Sequence, residues 1–332
     1  MSLPVVKTDL SGQIVLVTGA NTGIGLEAAK HFATMKPSRL IITCRSEEKT
    51  AAAVALIEKE TGFTHVEGFV LELTSFASVL SFVEKFEKDV GSLDILVANA
   101  GVLPVTFTPT QDGWETTVQV NHLSTALLCF LLLPSLARAG EARSRLSRLV
   151  IVASETHAWS DFAEGRTGGS GVLEYLNKKD VFEENIQKRY PESKLLNVLF
   201  TRALAKHLRL SNRVVVNCVT PGLCRSDLAR QVDSPQLKAQ LANARSSEEG
   251  SRQLIWASVG PESATEDHVK NLHGTYIVNT QVTDPSQWVR SEEGQRVQEK
   301  VWVSDEFQSL QLWLNTFDRP KPSRFCPRYP LA

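Results

Sequence analysis

The chain has 332 residues, 42% apolar and 22% charged, with a formal net charge of −1. This is an ordinary soluble, globular composition, and the interspersed charges remove any electrostatic case for nucleic acid or an anionic membrane. Cys44, Cys129, Cys218, Cys224 and Cys326 form no Cys-x-x-Cys pair, and the seven histidines form no His-x-x-x-His pair. Reduced thiols and no metal are therefore expected. The longest apolar run, 126–133, is stopped by Pro134 and is too short to span a bilayer. Residues 1–10 carry Lys7, Asp9 and Pro4 and lack the apolar core of a signal peptide. The expectation is a cytoplasmic protein with no membrane span.

Ile14-Val15-Leu16-Val17 is a β-branched run that predicts a buried strand. It leads into Thr18-Gly19-Ala20-Asn21-Thr22-Gly23-Ile24-Gly25, and a helix is predicted over 26–34. Strand, glycine turn and helix together make the context of a dinucleotide pyrophosphate site. Glycines admit a tight turn close to phosphate, and the helix N-terminus supplies N–H groups and a positive dipole end. The spacing is Gly-x-x-x-Gly-x-Gly rather than the more familiar Gly-x-Gly-x-x-Gly.

A second strand, 40–43, ends at Arg45, where an acid would be expected to hold the ribose 2′-hydroxyl of NAD. A guanidinium suits a 2′-phosphate instead, so NADP is the expected cofactor; the competing reading is a solvated loop arginine. Further on, the pattern predicts helices over 47–60, 75–90 and 113–137, and strands over 66–73, 93–97, 148–153 and 214–219. A short seventh strand is predicted at 275–278. Such alternation predicts a single α/β domain over 1–332. Its core is one Rossmann-like, doubly wound parallel sheet of about seven strands with helices on both faces. Gly19, Arg45, Glu72, Asn99, Ser154 and Pro221 fall at the carboxyl ends of its strands, where open sheets of this kind bind ligands.

Tyr190 and Lys194 are four residues apart, which on a helix places both on one face. An ammonium near a phenol favours the phenolate, and a tyrosine tuned in that way exchanges protons near neutral pH. Alone, the pair reads as an ordinary surface pair. Pro191 further biases Tyr190 away from helical backbone, which predicts a helix start or a local kink here.

Together these residues resemble the short-chain dehydrogenase/reductase family over roughly 11–289. The parts that carry the resemblance are Thr18-Gly19-x-x-x-Gly23-x-Gly25, Asn99-Ala100-Gly101, Asn121, Ser154, Tyr190-x-x-x-Lys194 and Asn217-x-x-x-Pro221-Gly222, in that order. Ser154-x-x-His157 and Pro285-Ser286-Gln287-Trp288 look most like the retinol-dehydrogenase-like branch, which includes fungal reductases. The resemblance implies that Tyr190 is the acid/base, that Lys194 lowers its pKa and holds the nicotinamide ribose, and that Ser154 binds the substrate oxygen. Asn121 would hold a water linking Lys194 to solvent. Gly19, Asn21, Thr22, Gly23, Ile24 and Gly25 would cradle the pyrophosphate. Arg45, Glu72, Leu73, Asn99, Ala100 and Gly101 would line the adenosine side, and Pro221, Gly222 and Ser226 the nicotinamide end. Glu72 stands where the family usually has Asp, and Ser226 where it more often has Thr.

The span from Ser154 to Tyr190 is longer than usual for the family and contains the glycine-rich stretch 165–171. In single-chain carbonyl reductases of the family an insertion here blocks the dimer, which implies a monomer. Residues 224–262 are expected to form a helical lid with apolar faces, suited to a lipophilic ketone, aldehyde or alcohol. Residues 319–332, with four prolines, predict an extended tail. The leading reading is an NADP(H)-dependent oxidoreductase, probed against two alternatives: a silent dinucleotide-binding regulator, and a lyase, isomerase or cyclase on the same fold.

Overall fold

The computed structural model describes residues 3–163, 167, 171–261 and 264–304. The predicted tail at 319–332, and most of the glycine-rich stretch at 165–171, lie outside the described residues.

The first half alternates strand and helix in the expected order: β1 (Ile14–Thr18), α1 (Gly23–Thr34), β2 (Arg39–Cys44), α2 (Glu47–Thr61), β3 (Val66–Val70), α3 (Phe76–Asp89) and β4 (Ile95–Ala98). It continues with α4 (Ser124–Arg143), β5 (Ser147–Val152), α5 (Ile186–His207), β6 (Val214–Val219), α6 (Pro235–Ala242) and α7 (Ser247–Val259). Last come β7 (Tyr276–Val278), β8 (Gln281–Thr283) and α8 (Glu292–Trp302). The strands form one sheet in the order β8-β7-β6-β5-β4-β1-β2-β3, parallel except for the antiparallel β7–β8 hairpin. This is the expected Rossmann-like fold with eight strands rather than about seven. The eighth is three exposed residues on the sheet edge, too short to leave a periodic signal.

Each central strand feeds both faces, because side chains alternate along a strand. Leu16, Leu96, Leu149 and Val216 pack with α3, α4 and α5 on one face. Val15, Val17, Val97 and Val150 pack with α1 and α7 on the other. The chain reverses its winding between β1 and β4, which lie side by side. That switch point opens a crevice at the carboxyl ends of the strands.

Two local predictions need correction. The helix expected over 113–137 is broken at its start. A short turn, Thr116–Val118, passes into a π-helical turn, Gln119–Leu123, and only then into α4. α4 runs through Pro134, as expected, and continues to Arg143, past the expected end at 137. Residues on every side of that helix are buried, and this packing outweighs the backbone hydrogen bond that a proline removes. The whole run Thr116–Arg143 is long and apolar enough to cross a membrane, but its most apolar window is 83% buried, so the apolarity belongs to the core. β3 likewise ends at Val70, short of the expected 73.

Candidate active site

A cavity of about 1290 Å³ runs along the carboxyl ends of the strands, from the glycine turn to the segment after β6. The glycine turn is built by steric exclusion. Gly19 and Gly23 have φ of +66° and +61°, a region that favours glycine. A Cβ on Gly19 would lie 2.9 Å from Ala100 Cα, and one on Gly25 would collide with the Gly19 carbonyl and the Asn99 amide. Thr18 and Asn99 lock the turn to β4. Thr18 Oγ1 accepts from the backbone N–H groups of Asn99 and Ala100, both at 3.0 Å, and Asn99 Nδ2 donates to Thr18 O at 2.9 Å. Thr22, the residue before α1, makes no side-chain cap, which leaves the first N–H groups of that helix open to the cavity. This is a cradle shaped for a pyrophosphate.

At the adenosine end Arg45 is exposed on the cavity wall, with no hydrogen-bond partner among the described residues. Glu72 holds the neighbouring loop, accepting from Thr74 N at 3.0 Å, and its own N–H bonds Ser78 Oγ at 3.0 Å. Leu73 lines the cavity beside it.

The groups that would do chemistry sit at the other end, on two buried elements. Ser154 follows β5 and caps the 3₁₀ turn Glu155–Trp159. Its Oγ accepts from Thr156 N at 3.2 Å and from Thr156 Oγ1 at 3.0 Å. With its acceptor sites engaged, Ser154 has one proton to donate, which favours the ionised form of the Tyr190 phenol beside it. Tyr190 and Lys194 lie on α5, one turn apart. Tyr190 is hydrogen-bonded to Ser154, and Lys194 Nζ donates to Val152 O at 2.8 Å. The Lys194 ammonium is 5.5 Å from the Tyr190 ring centroid. Pro191 falls inside α5, because the helix begins at Ile186 rather than near the pair.

Asn121 occupies the middle of the π-helical turn and is fully buried. The widened turn aims its amide at the chain after β4: Oδ1 accepts from Val102 N at 2.8 Å and Nδ2 donates to Val102 O at 3.0 Å. Nδ2 also donates to Ser193 Oγ at 3.0 Å, and Ser193 donates to Tyr190 O at 2.8 Å. Thus Asn121 ties the β4 loop to the backbone of the tyrosine helix. A Cβ on Gly101 would lie 3.3 Å from Asn121 Oδ1 and 3.6 Å from Lys194 Nζ, so both polar groups approach one another across that glycine.

A buried ion cluster anchors the same helix. Arg189 is paired with Glu192 at 3.2 Å and Glu115 at 3.5 Å, all three at most 2% exposed. Glu115 in turn caps the Thr116–Val118 turn just ahead of Asn121. Truncating one member of such a buried set would strand charge in the interior, an outcome that costs about 3–5 kcal/mol. The elongated span before Tyr190 also docks here, through Asn177, whose Oδ1 accepts from Glu115 N at 2.7 Å.

Burial pushes the Tyr190 phenol well above its ordinary value, the Ser154 hydrogen bond pulls it back, and nearby Cys224 raises it again. Burial pulls the Lys194 ammonium down to about 8. The phenol is protonated at neutral pH, the state that donates a proton.

Every residue singled out from the sequence lines the one cavity except Asn121, which lies behind its wall. Thr18, Thr156 and Ser193 complete the hydrogen-bond network with Val102 and carry no individual role in the sequence reading. Their partners are remote in sequence or are backbone groups, which leave no spacing to read. Thr18 was quoted only as the start of the glycine turn. His157, noted only as part of a resemblance, accepts at Nε2 from Ser286 N at 3.1 Å, which fixes the ring proton on Nδ1, 2.8 Å from Ser154 O.

Comparison with known proteins places these features in context. A family model described as short chain dehydrogenase matches residues 13–158. The chain is 33% identical over 307 residues to the short chain dehydrogenase/reductase dmxR8 of Cryptosporiopsis sp., covering 91% of each chain. It is 40% identical over 228 residues to the short chain dehydrogenase sol3 of Alternaria solani, covering 69% of this chain and 78% of that one. Among solved structures, a short-chain dehydrogenase from Sphingobium yanoikuyae in complex with NADPH shares the fold at a TM-score of 0.55 and 19% identity. The overlap covers 75% of this chain and 86% of that one.

Proposed function

The chain belongs to the short-chain dehydrogenase/reductase family of oxidoreductases, and on that premise we propose that it uses NADP(H) to reduce a lipophilic ketone or aldehyde. The observation that carries this reading is the clustering of Ser154, Tyr190 and Lys194 at one end of a cavity whose other end is the glycine turn and Arg45. A bound nicotinamide would supply the hydride. Ser154, its acceptor sites already engaged by Thr156, donates to the substrate oxygen and stabilises charge that develops there. Tyr190, held protonated by burial, delivers the proton to that oxygen. Lys194 has a depressed pKa and is positioned to bind ribose hydroxyls and to replace the proton.

Support for NADP comes from Arg45, a free guanidinium at the end of β2, and from the NADPH carried by the Sphingobium relative. The lipophilic substrate follows from the cavity wall, where Val102, Leu103, Val105, Leu228, Leu237 and Leu241 converge. A silent nucleotide-binding protein would have no need of Ser154, Tyr190 and Lys194 gathered at one end of the cavity.

The test is oxidation of NADPH and of NADH against a panel of lipophilic ketones and aldehydes, with the product checked for a mass gain of two hydrogens. Arg45→Asp is expected to lower kcat/KM for NADPH by about 10- to 100-fold, the scale of a charge-assisted hydrogen bond, and to spare NADH. Equal losses would overturn the NADP assignment. No reduced product with any substrate would overturn the oxidoreductase reading.

A further inference from the structure

Eight large apolar side chains are well exposed among the described residues, and three of them, Trp159, Ile186 and Leu223, line the same cavity. Single exposed apolar residues are normal on any surface, and Val5, Val70, Leu210, Val282 and Val303 are of that kind, since none lines this cavity. Convergence is different. Trp159 is the most exposed of the eight at 70%, Leu223 stands at 41% and Ile186 at 37%. They come from three separate segments, each a few residues from the reacting end. Trp159 closes the 3₁₀ turn that Ser154 begins, Ile186 lies one helical turn before Tyr190, and Leu223 follows Pro221-Gly222.

The indole is not displayed on a loose loop. Its turn is held at His157, whose ring is hydrogen-bonded to Ser154 O and Ser286 N and packs edge-on against Tyr276 at 4.8 Å. A large, flat apolar group fixed in water next to a catalytic serine has forgone its burial, a position worth holding only if something else covers it. Its shape selects the cover. A planar indole face is best matched by another flat ring, and the two flanking aliphatic side chains would grip that ring's edges.

We propose that Trp159, with Ile186 and Leu223, forms a distal subsite for a fused aromatic ring of the carbonyl substrate. The reacting oxygen lies at Ser154 and Tyr190, and the far ring stacks on the indole. The physiological substrate is therefore a polycyclic aromatic ketone rather than a flexible aliphatic one. This assignment rests on the carbonyl-reductase reading of the same cavity.

The experiment compares two ketones with the same reacting carbonyl, 1-tetralone and its linearly extended three-ring analogue 3,4-dihydroanthracen-1(2H)-one. Equilibrium binding to the NADP-loaded protein is measured by calorimetry, alongside NADPH oxidation. The wild type is expected to bind the three-ring ketone about tenfold more tightly, the scale of one aromatic stacking contact. Trp159→Ala should abolish that advantage while changing tetralone binding less than about twofold, and Trp159→Phe should restore most of it. Trp159 is exposed, so an unchanged melting temperature is the expected control for folding. A ring advantage that survives in Trp159→Ala, a loss shared equally by both ketones, or no binding of either ketone would overturn the subsite. The binding arm stands apart from turnover: ring-dependent binding without NADPH oxidation would sink the reductase reading and leave the subsite intact.

Discussion

The cavity has two walls of opposite character. One, made by the end of β5, the π-helical turn and α5, is buried and closed by hydrogen bonds: Asn121 and Ser193 are fully buried, Lys194 is 3% exposed, and each has named partners. The other, the stretch from Ser226 through α6, has not one buried residue in that helix and is held chiefly at its caps. The contrast separates two tasks. Chemistry needs groups held in place before the reaction, so their reorganisation costs nothing during it. Acceptance of a bulky substrate needs a wall whose opening costs little, and few buried contacts make opening cheap.

The largest effect should come from the buried wall. Tyr190→Phe removes one oxygen and leaves the ring to pack, so kcat should fall by about 10²–10⁴-fold, the range of a positioned acid. NADPH binding, followed by fluorescence titration, should change less than about threefold. Retained turnover would remove Tyr190 from the reaction and with it the functional meaning of the rigid wall.

A middle-sized effect should come from His157, which is on the same wall but away from the cavity. Its neutral ring joins Ser154 O to Ser286 N, the latter 129 residues from His157 in sequence. His157→Leu breaks both bonds and takes from the Ser286 N–H its partner, so about a tenfold fall in kcat with a smaller change in KM is expected. His157→Gln, which both donates and accepts, should recover part of the loss; a Leu variant with wild-type kcat would show that Ser154 needs no such strap. The pH dependence has a definite sign. Burial is the main cause that depresses the His157 pKa, against a smaller opposing effect of its bond to Ser154, so the folded state favours the neutral ring. The stability it contributes is complete above the free-histidine value, about 6.5, and is lost as pH falls through the depressed folded value. Acid should therefore lower the melting temperature of the wild type more than that of His157→Gln.

The two walls also differ in how well the sequence announces them. Gly19, Gly23 and Gly25 sit between a β-branched run and a helix, so both the turn and its ligand class are local signals. Strands β1, β2, β4, β5 and β6 are mostly apolar, legible because both faces of the sheet are covered. The π-helical turn at Asn121 left no trace, since an i to i+5 step differs from an ordinary helix by one residue and nothing in Gln119–Leu123 forbids either. Pro191 reads as a helix start or a local kink, yet it lies inside a helix whose burial overrides the local preference. The Arg189, Glu115 and Glu192 cluster was equally silent: a charged residue in sequence looks solvated until the fold closes over it.

The smallest effect should come from where the stretch after β6 meets the glycine turn. Thr22 Oγ1 donates to Asp227 Oδ2 at 2.6 Å, and a Cβ on Gly23 would lie 3.3 Å from Ser226 Cβ, so the stem of the exposed wall rests directly on the glycine turn. The bond occupies the hydroxyl that would otherwise cap α1, which keeps the N–H groups of that helix available. It also places a carboxylate beside a site built for an anion. A pyrophosphate held at the glycine turn would be repelled by Asp227. Asp227→Asn keeps an acceptor for Thr22 and removes the charge, so it should tighten NADPH by about threefold, the scale of an exposed charge interaction, with less effect as salt is raised. The rate of the chemical step, read from single turnovers with deuterated NADPH, should not move, because Asp227 touches nothing on the buried wall. Weaker NADPH binding in the Asn variant would show that the carboxylate helps to hold the cofactor, and a slower chemical step would show that the lid shapes the chemistry as well as admitting the substrate.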